Sequence, residues 1–84
     1  MYFVYVLESS VSGRWYIGSS ADPDTRLQAH NAGRVRSTKS SRPWIRILLE
    51  SYPDRHRAEQ RERYLKSGWG RRWMKAHLHA GLAT

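Results

Sequence analysis

The chain contains no cysteine. That excludes a disulfide framework, a thiolate nucleophile and a cysteine-type zinc site, and leaves the redox compartment open. No apolar run approaches the roughly 20 residues that cross a bilayer, and Met1-Tyr2-Phe3-Val4-Tyr5 lacks the basic and then apolar segments of a signal sequence. No membrane contact is therefore expected, and the cytoplasm is the default. Acidic side chains are scarce: seven Asp and Glu stand against 15 Lys and Arg, a formal charge of +8. An excess of that size is the electrostatic footprint of a polyanion partner, nucleic acid first. At 84 residues there is no room for a second core, so residues 1–84 read as one domain, with a core over about 2–78 and a short tail at 79–84. Four Trp and five Tyr supply the large apolar surfaces that so small a core needs.

Tyr2 to Leu7 and Arg14 to Gly18 are aromatic and β-branched runs separated by Ser9-Ser10-Val11-Ser12-Gly13, which reads as a hairpin with a longer loop. Asp22-Pro23-Asp24 then opens a helix: Asp22 suits the N-cap, Pro23 the first helical position, and Asp24 complements the dipole. The helix runs to about Asn31 and stops at Gly33, suited to a left-handed C-cap. Arg34 to Pro43, basic and rich in small hydroxyl residues with no apolar period, predicts a surface loop. Ile45 to Ser51 follows as a third strand, Asp54 caps a helix over Arg55 to Lys66, and Ser67-Gly68 ends it. A last helix spans about Gly70 to His79, with Trp69, Trp73, Ala76 and Ala80 on one face and Trp73 in the core. The order β-β-α-β-α-α implies an α+β fold, a three-stranded antiparallel sheet flanked by helices.

Ala58, Glu62 and Leu65 fall at i, i+4 and i+7, which puts Glu62 within the inward stripe of its helix. A carboxylate there requires a cation, either an arginine or a metal ion. The remaining carboxylates have other duties: Asp22, Asp24 and Asp54 at helix starts, Glu59 facing outward, Glu8 and Glu50 at strand ends. A two-metal site, which needs clustered carboxylates, is not expected. One carboxylate completed by water and substrate phosphate would favour Mg²⁺. Arg26 and His30, also i and i+4, lie one above the other and suit a phosphate, although a solvated helix face fits the spacing equally. Tyr5 and Tyr16 sit on the two hairpin strands, with core packing as the alternative to chemistry, and Gly18 permits a close approach where the second strand ends. His77 and His79 carry no assigned role.

Taken in order, Phe3-Val4-Tyr5, Tyr16-Ile17-Gly18, Arg26-Leu27 with His30-Asn31, and Ala58 with Glu62 and Leu65-Lys66 resemble the GIY-YIG nucleases. The likeness is greatest to their small stand-alone members, and it extends from Tyr2 to about Leu78. The resemblance implies an endonuclease that hydrolyses phosphodiesters with Mg²⁺ or Mn²⁺. Tyr5 or Tyr16 would help deprotonate the attacking water, Arg26 would bind the scissile phosphate, His30 would support the phosphate or a proton relay, and Glu62 would hold the single metal. The chain departs from the family pattern at Phe3-Val4, where Gly-Ile is usual, and at Ser19, where the repair nucleases carry a lysine; Lys66 or Lys39 is placed to compensate.

The resemblance also implies that the catalytic domain itself grips the substrate, DNA before RNA. Arg34, Arg36, Lys39, Arg42, Lys66, Arg71, Arg72 and Lys75 are the candidate phosphate contacts, and Trp44 or Trp69 the candidate stacking platforms. Contacts to phosphate carry no base information, so shape (a flap, a branch, a damaged site) is the expected determinant. A non-catalytic binding module, or a subunit that cuts only with a protein partner, is the alternative.

Overall fold

A computed structural model describes residues 1–78. The predicted end of the last helix at His79, Ala80 on its face, and the tail 79–84 lie outside the described residues. The elements are β1 (Tyr2–Ser9), β2 (Trp15–Ser20), α1 (Pro23–Asn31), a single 3-10 turn (Lys39–Ser41), β3 (Trp44–Tyr52), α2 (Arg55–Lys66) and α3 (Gly68–His77), in the α+β order that the sequence predicts.

The three strands form an antiparallel sheet in the order β2-β1-β3. β1 is central and paired along both edges, and its side chains alternate between two apolar layers, one on each face of the sheet. Val4 and Val6 pack with Ala58, Leu65 and Met74 beneath α2 and α3. Tyr5 and Leu7 point the other way and pack with Trp44, Tyr16 and Leu27 on the side of α1. A register shift between Val6 and Leu7, which pair with Leu48 and Arg46, places a bulge at Ile47.

Local chemistry explains the helix limits. The Asp22 carboxylate accepts from the Thr25 N–H at 3.1 Å and from the Thr25 hydroxyl at 2.7 Å, and Pro23 follows at the first helical position. α1 ends just before Gly33, whose φ of 79° is left-handed. It is tied to the sheet by Asn31, whose side chain accepts from the Trp44 N–H at 2.6 Å and donates to the Trp44 carbonyl at 3.1 Å. Asp54 accepts from the Arg57 N–H to start α2, and the Ser67 hydroxyl accepts from the Gly70 N–H to start α3.

Two expectations are corrected. α3 turns Gly70 and Met74 inward; Trp73 is half-buried and packs against the core as expected, but Trp69, expected on the same face, keeps 71% of its surface exposed. A Cβ on Gly70 would collide with the Tyr64 carbonyl oxygen and the Leu65 backbone, so α3 presses its glycine face against the end of α2 and turns Trp69 outward. The basic segment between α1 and β3 is not wholly a surface loop either, because Thr38 within it is fully buried.

Candidate active site

The sheet register sets the site. Tyr5 lies opposite Gly18 and Leu7 opposite Tyr16, so the two tyrosines share one face along a diagonal, with ring centroids 6.4 Å apart and planes 28° apart. The Tyr5 ring lies across Gly18 so closely that a Cβ at position 18 would stand 2.6 Å from the tyrosine hydroxyl oxygen. The glycine of Tyr16-Ile17-Gly18 is thus the floor on which the Tyr5 ring rests.

α1 brings His30 beneath both rings, its centroid 4.7 Å from that of Tyr16 and 6.2 Å from that of Tyr5. His30 is fully buried; its Nε2 lies 3.5 Å from the Tyr5 hydroxyl and its Nδ1 2.8 Å from the Thr38 hydroxyl. One turn earlier on α1, Arg26 sets its guanidinium beside the Tyr5 hydroxyl. Burial pushes the Tyr5 phenol above its ordinary value, and the Tyr16 and Glu62 charges add to this while Arg26 opposes it. Burial and the charge of Arg26 both hold His30 below its ordinary value, which keeps the imidazole neutral near pH 7.

Glu62 reaches the site from α2. Its Oε1 accepts from the Ser19 hydroxyl at 2.6 Å, and its Oε2 pairs with the Lys66 ammonium at 2.7 Å. Burial pulls its carboxyl upward, but hydrogen bonds from Lys66 and Ser19, with the charges of Lys66 and Arg63, outweigh that and hold it below the usual carboxylate value. Glu62 is therefore ionised, keeps 20% of its side chain exposed, and already accepts a cation at one oxygen. Those properties fit a divalent metal held by one protein carboxylate, with water and substrate oxygens as the other ligands. Among the described residues no three of His, Asp or Glu gather as a metal cage. The remaining carboxylates hold structural partners: Asp24 on Arg46, Glu59 on Arg55, Glu50 on Arg61 and Tyr52, and Glu8 accepting from the Trp15 indole.

Tyr5, Tyr16, Arg26 and His30 are brought together, with Glu62 arriving at the end of β2 through Ser19. Ser19, at the position where a lysine is usual, touches the carboxylate directly, and Lys66 supplies the ammonium from α2. Arg34, Arg36, Lys39 and Arg42 are exposed on the loop beside the site. Arg71 instead lines a cleft of about 590 Å³ with Lys75, Trp15, Ile17 and Met74, beneath the opposite sheet face, and Arg72 lies over the exposed Trp69 ring at 5.3 Å.

Trp44 is corrected from stacking platform to structural residue. It is 2% exposed, its indole N–H donates to the Thr38 carbonyl at 2.9 Å, and its ring lies edge-on to Tyr16. Thr38 itself escaped the sequence reading, because a hydroxyl residue in a basic, aperiodic segment carries no signal of burial.

Tyr5, Tyr16 and His30 thus meet on the α1 side of the sheet with Arg26 beside Tyr5, while Glu62 is held through Ser19, which shares the Val4 face of the sheet, and acts on Tyr5 through its charge. The GIY-YIG catalytic domain matches residues 1–77 of the chain. The chain belongs to the GIY-YIG family. It is 42% identical over 72 residues to structure-specific endonuclease subunit SLX1 of Meyerozyma guilliermondii, covering 77% of this chain and 24% of that one. Against the same-named subunit of Schizosaccharomyces pombe it is 41% identical over 61 residues, covering 64% and 22%. The chain thus spans about a quarter of the length of these relatives. The UPF0213 protein YazA of Bacillus subtilis is 35% identical over 66 residues, 77% of this chain and 66% of that one. The solution NMR structure of the UPF0213 protein BH0048 of Bacillus halodurans superposes with a TM-score of 0.54 at 26% identity, covering 90% and 84% of the two chains.

Proposed function

We propose that the protein is a Mg²⁺-dependent endonuclease that hydrolyses phosphodiesters in branched, flapped or damaged DNA, in the cytoplasm and in the service of DNA repair or recombination. The observation that carries this reading is the convergence of Tyr5, Tyr16, Arg26 and His30 on one sheet face with the ionised Glu62 at its edge. Arg26 binds the scissile phosphate and stabilises the charge that grows on its oxygens. The attacking water loses its proton to a tyrosine hydroxyl. Tyr5, which touches both Arg26 and His30, is placed to pass its own proton to the neutral imidazole. The contact is 3.5 Å long, and catalytic hydrogen bonds of this kind tighten when substrate binds. A Mg²⁺ held by Glu62 would supply Lewis-acid stabilisation of the leaving oxygen.

Affinity comes from phosphate contacts by Arg34, Arg36, Lys39 and Arg42 on the loop, with Lys66, Arg71 and Arg72 on the α2 and α3 side, so recognition follows DNA shape. A second reading, a module that cuts or binds only with a protein partner, is favoured by the relatives' description as endonuclease subunits, of whose length this chain spans a quarter.

The test is cleavage of labelled duplex, flap, four-way-junction and single-stranded DNA and RNA with Mg²⁺ or Mn²⁺, comparing wild type with Glu62→Ala and Tyr16→Phe. Cutting by the wild type alone, with both variants still binding, supports the reading. Salt-sensitive binding without cutting of any substrate overturns it in favour of the partner-dependent module, and cutting indifferent to Glu62→Ala overturns the assignment of the metal to Glu62.

A further inference from the structure

The imidazole of His30 has one neighbour that the catalytic reading leaves unused. Thr38 is fully buried, and its hydroxyl oxygen lies 2.8 Å from His30 Nδ1 and 3.2 Å from the Val35 carbonyl oxygen. Its own carbonyl accepts the Trp44 indole N–H at 2.9 Å, so the residue is held from both ends.

A threonine hydroxyl has one proton to give and two lone pairs to receive, whereas a carbonyl oxygen only accepts. We infer that Thr38 is a positioning residue: its hydroxyl donates to the Val35 carbonyl and accepts the Nδ1–H of His30, which fixes the imidazole as the Nδ1–H tautomer with the Nε2 lone pair facing the Tyr5 hydroxyl. The opposite arrangement, with Thr38 donating to Nδ1, leaves two acceptor oxygens facing each other at 3.2 Å without a proton between them. The Val35 carbonyl also receives the Thr38 backbone N–H at 3.1 Å, and its two lone pairs accommodate both donors. In an imidazole, the partner of one nitrogen decides what the other can do.

The consequence is a direction for the proton. With Nε2 unprotonated, His30 accepts from Tyr5 and cannot donate to it. This rests on the nuclease reading, in which a water O–H bond breaks and its proton passes to the Tyr5 oxygen, while the Tyr5 proton passes to Nε2, leaving an imidazolium. The freed electron pair of the water oxygen forms the new P–O bond, and the leaving oxygen departs with the pair of the broken P–O bond and takes a proton from solvent. The titratable and charged groups facing His30 are Tyr5 from β1, Tyr16 from β2 and Arg26 from its own helix, and the loop presents the Thr38 hydroxyl. Among the described residues none of these is a carboxylate, so Thr38 is the group that sets the tautomer.

The decisive measurement is a two-bond ¹H–¹⁵N correlation spectrum of the imidazoles in ¹⁵N-histidine-labelled protein without substrate, with the His30 signals assigned by their loss in His30→Gln. The wild type and Thr38→Ser are expected to show His30 protonated on Nδ1. Thr38→Val, nearly the same shape but unable to accept, is expected to move the proton to Nε2. In cleavage assays Thr38→Val should lower kcat by about 10- to 100-fold with KM little changed, and Thr38→Ser should restore it. Wild-type His30 protonated on Nε2, or Nδ1 protonation that survives in Thr38→Val, overturns the inference. The wild-type and Thr38→Ser spectra decide it even where Thr38→Val does not fold. A protein that cuts nothing while its tautomer follows Thr38 refutes the nuclease reading and leaves the inference standing; active protein whose tautomer ignores Thr38 does the reverse.

Discussion

Replacing Gly18 with alanine places one methyl group where the Tyr5 ring now lies. The new carbon would stand 2.6 Å from the Tyr5 hydroxyl oxygen and 2.7 Å from the ring carbon that bears it, whereas ordinary contact begins near 3.4 Å. The hydroxyl must therefore retreat by about 0.8 Å. Tyr5 is 2% exposed and packed with Leu7 and Trp44, so its ring has no open side to swing toward. Forcing a methyl into such packing costs about 1–3 kcal/mol. In a domain of this size each kcal/mol lowers Tm by about 4–8 °C, so a fall of at least about 4 °C is expected. The Tyr5 hydroxyl also moves relative to Arg26 and His30, and a misplacement near 1 Å costs on the order of 100-fold in rate. Circular dichroism melts give the first quantity, and kcat/KM on the best-cut substrate gives the second. A Gly18→Ala protein that melts within about 1 °C of wild type and cuts within about twofold would refute the claim that the glycine exists to admit the tyrosine.

Because His30 is held below its ordinary value, the unfolded chain binds more protons than the folded one between the two values, and the stability tied to His30 is lost as pH falls below about 6.5. Urea melts at pH 5 and pH 7.5 should show a pH dependence that shrinks in His30→Gln, and the acid limb of cleavage should fall in the same range. Asn31→Ala removes both side-chain bonds to the Trp44 backbone and should cost about 1–3 kcal/mol in urea melts; no loss would mean that water replaces them. Neutralising Arg34, Arg36, Lys39 or Arg42 singly should reduce the slope of log affinity against log salt by about 0.9 for each phosphate that the side chain had neutralised; an unchanged slope removes that residue from the interface.

Much of the fold was legible because it rests on local chemistry. Asp22-Pro23 and Asp54 cap where their side chains can reach the first N–H groups, and Gly33 sits at the left-handed position that ends α1. Glu62 lies between buried Ala58 and Leu65 with a cation beside it, as its spacing required, although that cation is Lys66 rather than an arginine. What the sequence hid is tertiary. The inward face of α3 is decided by the fit of Gly70 against α2, which no periodicity of large side chains reveals. Trp44 is claimed by Thr38 and Tyr16, and Thr38 by His30, across separations that only the folded chain closes.

Tyr5 sits in the strand that is hydrogen-bonded on both sides, between Val4 and Val6 of the opposite apolar layer. No fraying edge or opening loop can carry it away while the rest of the protein survives. Its backbone amide should therefore exchange with deuterium only through complete unfolding, and heat inactivation and melting should be one event. A cell would meet this protein either intact with its tyrosine in place or unfolded, without a folded species from which that tyrosine has been lost.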